Sequence, residues 1–424
     1  MSLPQPSRVG ERPMLPRAIA VVAILALAGI AACGESTGPS EPRVIDVLPR
    51  QLSVAEREVI AGSNVFAFEL LREVHAREDE SPNVFLSPLS ASMALGMTLN
   101  GAAGETFDAM RATLGFDALS QEEINRSYHD LTELLLELDP RVELTIANSA
   151  WMREGHPFVP AFSETLETWF DAEARTLNFL DPASVDVING WASEQTQGRI
   201  PEVLEEVSPD HILFLLNAIY FKGQWTDRFK TSQTRPASFT LADGSVVQVE
   251  RMSGRPEAGT GWIDGVQLAE LPYGGTAFVM TLVLPEQGRS LEEVIERLDA
   301  ETWARWIESI GEYGELHVEL PKFEIDYETR LNDALIALGM GPAFDHRANF
   351  SRLTPAGAQI DFVQQNTFLK VDEEGTEAAA VTTVGVRETS MPPSFIVDRP
   401  FLVAIRERLS GTILFLGTIG DPGA

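Results

Sequence analysis

The stretch DEEGTEAAAVTTVGVRETSMPP (372–393) begins with acids, passes into small neutral residues and ends in a mixed run before two prolines. Side chains this small give a core little to pack with, yet the β-branched Val and Thr favour a strand. Alternation sharpens the reading, because successive side chains of a strand point to opposite faces. One phase holds Thr376, Ala378, Ala380, Thr382, Val384 and Val386, all uncharged. The other holds Glu377, Ala379, Val381, Thr383, Gly385 and Arg387, and both charges fall there. No proline interrupts the run before Pro392, as a strand inside a sheet requires. About fifteen residues at ~3.3 Å each would span roughly 50 Å. Taken alone, the run fits a strand able to enter a sheet, a plain strand, or a helix start rich in Glu and Ala.

The surrounding chain of 424 residues, 44% hydrophobic and 22% charged, has the composition of a globular protein. Its 63 acids against 32 Lys and Arg leave a net charge of −31. That charge favours solubility and argues against nucleic acid, whose binding needs basic patches. Cys33 is the only cysteine, so neither an intrachain disulfide nor a Cys-based metal site is available. Arg8, Arg12 and Arg17 precede the apolar run AIAVVAILALAGIAA (18–32), which is too short for a comfortable membrane span. The run ends in IAAC, which resembles the bacterial lipobox whose cysteine is lipidated and becomes the new N-terminus. The reading is therefore a leader over 1–32, a lipid on Cys33 and a flexible Gly/Ser/Pro tether over 33–54. The protein would be exported and held on the cell envelope, or extracellular. An ordinary secretory leader is the alternative.

Periodicity predicts an opening helix over 54–77, a second starting at Ser87-Pro88, and helices around 121–138, 160–172, 184–207, 290–309 and 329–339. VELTIANSAWM (142–152) and HILFLLNAIYFKGQW (211–225) read as strands, as do ASFTLADGSVVQVERM, VQLAELPY, AFVMTLVLPE, FLVAIRE and GTILFLGTIGDP. No internal repeat or later linker appears, so 55–424 reads as one mixed α+β domain. Common catalytic signatures fail. GESTG (34–38) matches G-x-S-x-G but lies in the polar tether, not in the strand-to-helix turn that this motif needs. That disposes of a lipid-anchored hydrolase using Ser36. There is no Ser-x-x-Lys, no H-E-x-x-H and no phosphate loop. Neither an enzyme activity, a metal nor a cofactor is expected.

Seven pieces in order carry a family resemblance: NVFLSPLSASMALGMTLNGAAGET (83–106), INGWASEQTQGRIPEVL (188–204), LNAIYFKGQW (216–225), PYGGTAFVMTLVLP (272–285), ELPKFEID (319–326), DRPFLVAI (398–405) and ILFLGTIGDP (413–422). Together they resemble the serpins. The resemblance implies three β-sheets, about nine helices and an exposed reactive loop over about 373–393. It also implies a suicide mechanism. A protease attacks the loop, forms an acyl-enzyme, and is carried off as the cleaved loop enters the main sheet. Serpin loop insertion is itself a standing example of strand addition and of released strain.

Carried over position by position, Glu373, Gly375, Thr376, Glu377, Ala378, Ala379 and Ala380 form the hinge. Glu373 and Lys322, with Trp225 beside them, mark the head of the sheet where insertion begins. Ser87, Ser90 and Asn217 match a polar cluster beneath its centre. The family usually completes that cluster with histidine, where this chain has Gln365, an amide that can both donate and accept. Counting from the hinge puts the scissile bond at Thr389–Ser390, suited to elastase- or subtilisin-like proteases. Arg387 is an alternative bait for a trypsin-like enzyme. The stretch 117–141 holds seven acids against Arg126 and Arg141, so no heparin-type cofactor is expected, and the protein should act as a monomer. The competing reading is a non-inhibitory serpin acting as a binding or chaperone-like module, which the small-residue run Thr376-Glu377-Ala378-Ala379-Ala380 disfavours.

Cys33→Ser should move the expressed protein from the membrane to a soluble fraction on cell fractionation. Continued membrane association of that variant would remove the lipid anchor from consideration.

Overall fold

The computed structural model describes residues 44–78, 81–376 and 393–424. Nine α-helices occur among them: α1 (Val54–His75), α2 (Pro88–Leu99), α3 (Gly104–Thr113), α4 (Gln121–Leu138), α5 (Pro160–Phe170), α6 (Ala183–Gln195), α7 (Leu291–Glu296), α8 (Ala300–Glu308) and α9 (Asn332–Leu335). Local chemistry fixes their ends. Ser53 and Glu56 form a capping box on α1, and Ser120 and Glu123 do the same on α4. The helix expected over 184–207 stops at Gln195. Gln197 (φ +52°) and Gly198 (φ +80°) turn left-handed, and the Gly198 N–H folds back to Ser193 O at 2.7 Å. The single helix expected over 290–309 is two, because the Asp299 side chain caps the N–H of Thr302 and starts α8 afresh. The helix expected over 329–339 begins only at Asn332, and Gly339 at φ +107° breaks the wide turn that continues it. Among the described residues no helix is long and apolar enough to cross a membrane.

The largest sheet has the order β1 (Asn83–Leu86), β17 (Ile413–Ile419), β16 (Phe401–Glu407), β9 (Phe278–Pro285), β8 (Val266–Tyr273), β7 (Glu257–Ile263) and β10 (Gly314–Glu315). Every residue of β9, β16 and β17 is buried, as expected of strands covered on both faces. A second sheet runs β15 (Ser394–Ile396), β11 (His317–Pro321), β6 (Val246–Gly254), β5 (Arg235–Thr240).

The main sheet comes as two blocks. One is β3 (Glu173–Leu177), β2 (Val142–Arg153), β4 (Leu213–Gln224) and the short β14 (Gly375–Thr376); the other is β12 (Phe323–Arg330) with β13 (Gln364–Val371). β2 and β4 are antiparallel from Val142 opposite Gly223 to Met152 opposite Leu213. Among the described residues β4 and β13 share no backbone pairing. The described residues thus form four hydrogen-bonded sheets where the resemblance implies three, the main sheet being divided at that point.

Helix α2 contacts both β4 and β17 and so lies between the main and largest sheets; its Ala, Ser and Gly residues permit that close approach. Over β2 and β4, α6 packs Ile188 and Trp191 onto Trp151 and Phe214. The expected tether is partly structured. Ile45 donates its N–H to Gly275 O at 2.7 Å, and its carbonyl accepts from Arg408 at 3.0 Å. Cys33 lies outside the described residues.

Candidate functional site

The chain leaves β13 through a tight turn at 372–375. Asp372 N–H donates to Gly375 O at 3.0 Å, and Glu374 N–H to Asp372 Oδ1 at 2.9 Å. β14 then starts against β4, with Gly375 opposite Gln224 and Thr376 opposite Gly223. Gly375 has φ +142°, and a Cβ there would stand 2.1 Å from Gly223 O. Only glycine fits. Thr376 is buried, and its hydroxyl lies 2.8 Å from the Tyr273 hydroxyl. Burial pushes the Tyr273 phenol well up, so it stays neutral as a hydrogen-bond partner. The Tyr273 ring stacks on Trp225 at 4.5 Å. Trp225 in turn holds the turn: its Nε1 donates to Asp372 O (2.9 Å) and its N–H to Glu374 O (3.0 Å).

Glu373 is buried beside this turn. Its Oε2 meets Lys322 Nζ at 2.9 Å, and its Oε1 accepts from Thr234 Oγ1 at 2.6 Å. Burial alone would push the carboxyl up, but the Thr234 and Lys322 hydrogen bonds outweigh it and hold the carboxyl below its ordinary value. Phe229 N–H ties the Glu373 carbonyl at 3.0 Å. Thr234, Phe229 and Tyr273 went unnoticed in the sequence. Tyr273 sits inside a quoted motif, but nothing in the string placed it beside Thr376.

Below the head, the polar residues join into one chain. Gln365 accepts from Ser87 N–H at 3.0 Å and donates to Ser87 O at 2.8 Å. Ser87 Oγ accepts from Ser90 N–H at 3.4 Å. Ser90 Oγ donates to Asn217 O at 3.1 Å, and Asn217 Nδ2 donates to Asn148 Oδ1 at 2.8 Å. This links β13, through α2, to β4 and β2. Gln365 uses both halves of its amide on the Ser87 backbone, and among the described residues the buried Asn217 Oδ1 has no partner. A cavity of about 740 Å³ lies here, lined by residues of α2, β4, β13 and the segments before the two strands.

The structure thus brings together Glu373, Gly375, Thr376, Lys322 and Trp225 at the head, and Ser87, Ser90, Asn217 and Gln365 beneath the middle. Glu377, Ala378, Ala379, Ala380, Arg387, Thr389 and Ser390 lie outside the described residues. Among those described, His129, Asp130 and Glu133 on α4 bring three metal-capable ligand atoms within 4.8 Å of one another. The Arg50 guanidinium feels both carboxylates, and a cation there competes with any ion.

Comparison with known proteins now gives the class. The family model "Serpin (serine protease inhibitor)" matches residues 61–422, and the chain belongs to that family. It is 32% identical to Serpin-Z1C of Triticum aestivum, over 88% of this chain and 98% of that protein. It is also 32% identical to leukocyte elastase inhibitor of Sus scrofa, over 86% and 100%. Among solved structures, the thermophilic serpin tengpin in its native state superposes with a TM-score of 0.79 at 29% identity, covering 89% of this chain and 97% of that one. Human thyroxine-binding globulin superposes at 0.80 and 28%, covering 87% and 100%.

Thr376→Arg would force an unpaired guanidinium between Gly223 and Tyr273, at a cost of several kcal/mol. Under the suicide mechanism that the family resemblance implies, the variant should be cleaved completely by protease with no covalent complex on denaturing gels; complex formation at the wild-type rate would contradict the buried phase. A pH series tests Glu373. Its carboxyl is lowered in the folded state, so its contribution is complete above the ordinary glutamate range of about 4.3 and is lost as pH falls through the lowered value. Glu373→Gln should therefore melt below wild type at neutral pH, and the gap should close in acid. A gap that is constant with pH would show that the charge contributes nothing.

Proposed function

We propose that the protein is a suicide inhibitor of serine proteases and not an enzyme. The observation that carries this is β14. Two residues of the loop already extend antiparallel along β4, at a place where β4 and β13 share no pairing among the described residues. In that register each later residue would oppose one earlier β4 residue. Continued after cleavage, it would set Val386 opposite Leu213, the first residue of β4, and Thr389 opposite Asp210. The small uncharged phase beginning at Thr376 suits such a passage.

The thyroxine bound by one structural neighbour raises a binding-module reading, but that reading gives the small-residue hinge nothing to do. Incubation with a protease panel separates them: an inhibitor gives a covalent band stable on denaturing gels, and a binding module gives none. We further propose Cys33 as the lipid anchor of an exported, envelope-bound monomer, with 55–424 as the inhibitory domain. No polyanion cofactor is proposed, since α4 sets Glu122, Glu123, Asp130, Glu133 and Glu137 against Arg126.

For the target, Thr389 before the bond suits shallow, elastase- or subtilisin-like pockets. Arg387 would suit a deep acidic one, but cleavage there shortens the insertable strand by two residues, and Glu388 follows it directly. Stable complexes are expected with elastase- or subtilisin-like enzymes, and a larger substrate fraction with trypsin. Mass spectrometry of the released C-terminal peptide checks this. A start at Ser390 fits, whereas a start at Glu388 together with efficient trypsin inhibition moves the bait to Arg387.

A further inference from the structure

The two blocks meet again at the opposite end from the hinge. His211 stands just before β4, and Asp361 and Phe362 just before β13. His211 Nε2 lies 3.1 Å from Asp361 Oδ2. Its Nδ1 accepts the Ser208 N–H at 3.2 Å, so Nε2 is the nitrogen that carries hydrogen toward the carboxylate. The imidazole sits edge-on to Phe214 at 5.0 Å and to Phe362 at 5.7 Å, and the two phenyl rings are 6.0 Å apart. Each partner is also fixed to its own side. The Arg330 guanidinium of β12 lies 5.4 Å over the Phe362 ring, and Asn332 donates to Asp361 O at 2.8 Å. Phe214 belongs to β4 itself.

Strands on either side of an inserted one stand roughly 9–10 Å apart. A 3.1 Å hydrogen bond and ring contacts of 5–6 Å do not survive that separation unchanged. We propose that His211, Phe214, Asp361 and Phe362 form a latch at the foot of the gap that sets the rate at which a cleaved loop completes its insertion. This rests on the inhibitor reading. The four are positioning residues: they touch no protease, and act by holding β4 and β13 together until the strand arrives. A tight latch slows insertion, and a protease still attached has longer to hydrolyse free.

The test cleaves the full-length protein with saturating thermolysin, a metalloprotease that forms no acyl-enzyme, so insertion proceeds without a captured partner. Insertion is followed by tryptophan fluorescence and by the rise in melting temperature. Phe362→Ala should insert roughly threefold to tenfold faster than wild type, with Phe362→Leu in between. The exposed Asp361→Asn keeps the shape and should also insert faster, which covers a Phe362→Ala protein that fails to fold. Each of these three variants that folds should give a larger covalent-complex fraction with a serine protease. Unchanged insertion rates alongside a lower melting temperature before cleavage would make the cluster merely structural and overturn the latch alone. If cleaved wild type gains no thermal stability, the inhibitor reading falls and the latch falls with it.

Discussion

Two strand edges, on β4 and β13, flank one gap without a shared backbone hydrogen bond among the described residues. Backbone N–H and C=O groups are strong obligatory partners, and an edge that is not covered is a template for another strand. Each hydrogen bond is worth only about 0.5–1.5 kcal/mol net. A strand filling the gap would bond on both sides, however, and about ten residues of it would sum to on the order of 10 kcal/mol or more. Under the proposed inhibitory mechanism, that reserve is what cleavage of the loop would release. Side chains entering between two packed layers must find room on the α2 side, where Ser, Ala and Gly leave little depth to spare.

The head of the gap shows how narrow the tolerance is. Gly375 approaches the β4 backbone so closely that a Cβ would meet Gly223 O at 2.1 Å, and a Cβ on Gly223 would meet the Tyr273 ring at 2.7 Å. Two glycines on adjacent strands therefore let Tyr273 reach Thr376. Around them, Glu373 is buried yet charged, which is tolerable only because Lys322 and Thr234 supply hydrogen bonds. Removing either donor leaves a buried carboxylate undercompensated, so the turn's stability depends on residues more than 50 positions apart in sequence.

Part of this was legible in the string. The apolar run of β4 and the long amphipathic α4 follow from the side-chain pattern, and seven ordered motifs supplied the family; the alternation over 377–387 lies outside the described residues. What the sequence could not carry was distance. Gln365 reads in the string as an amide where histidine is usual, but only the fold brings it onto the Ser87 backbone and leaves Asn217 Oδ1 without a partner among the described residues. His211 looked like one scattered histidine among six, because Asp361 lies 150 residues away. Helix ends failed for a related reason. The apolar period continues past Gln195, and the left-handed Gln197–Gly198 step that overrides it is a backbone event.

The order of events along the gap follows from where its contacts sit. The first strand pair, Gly375–Thr376 on Gly223–Gln224, is already formed, so under the proposed mechanism the entropy of bringing loop and sheet together would be met before any bond is cut. Each residue added after cleavage would then extend an existing ladder, and the favourable term would grow with every step. Opposition is staggered instead. The polar chain from Gln365 to Asn148 crosses beneath the middle, and Gln364 and Asn366 bond the carbonyls of Val203 and Glu202 in the segment that lies over it. Under the proposed mechanism a partly inserted strand would therefore meet resistance late, after most of its gain has accrued. A trap built this way can be held ready at its head and still close in one direction, because the cost of opening each contact falls due only when the strand behind it is already bound.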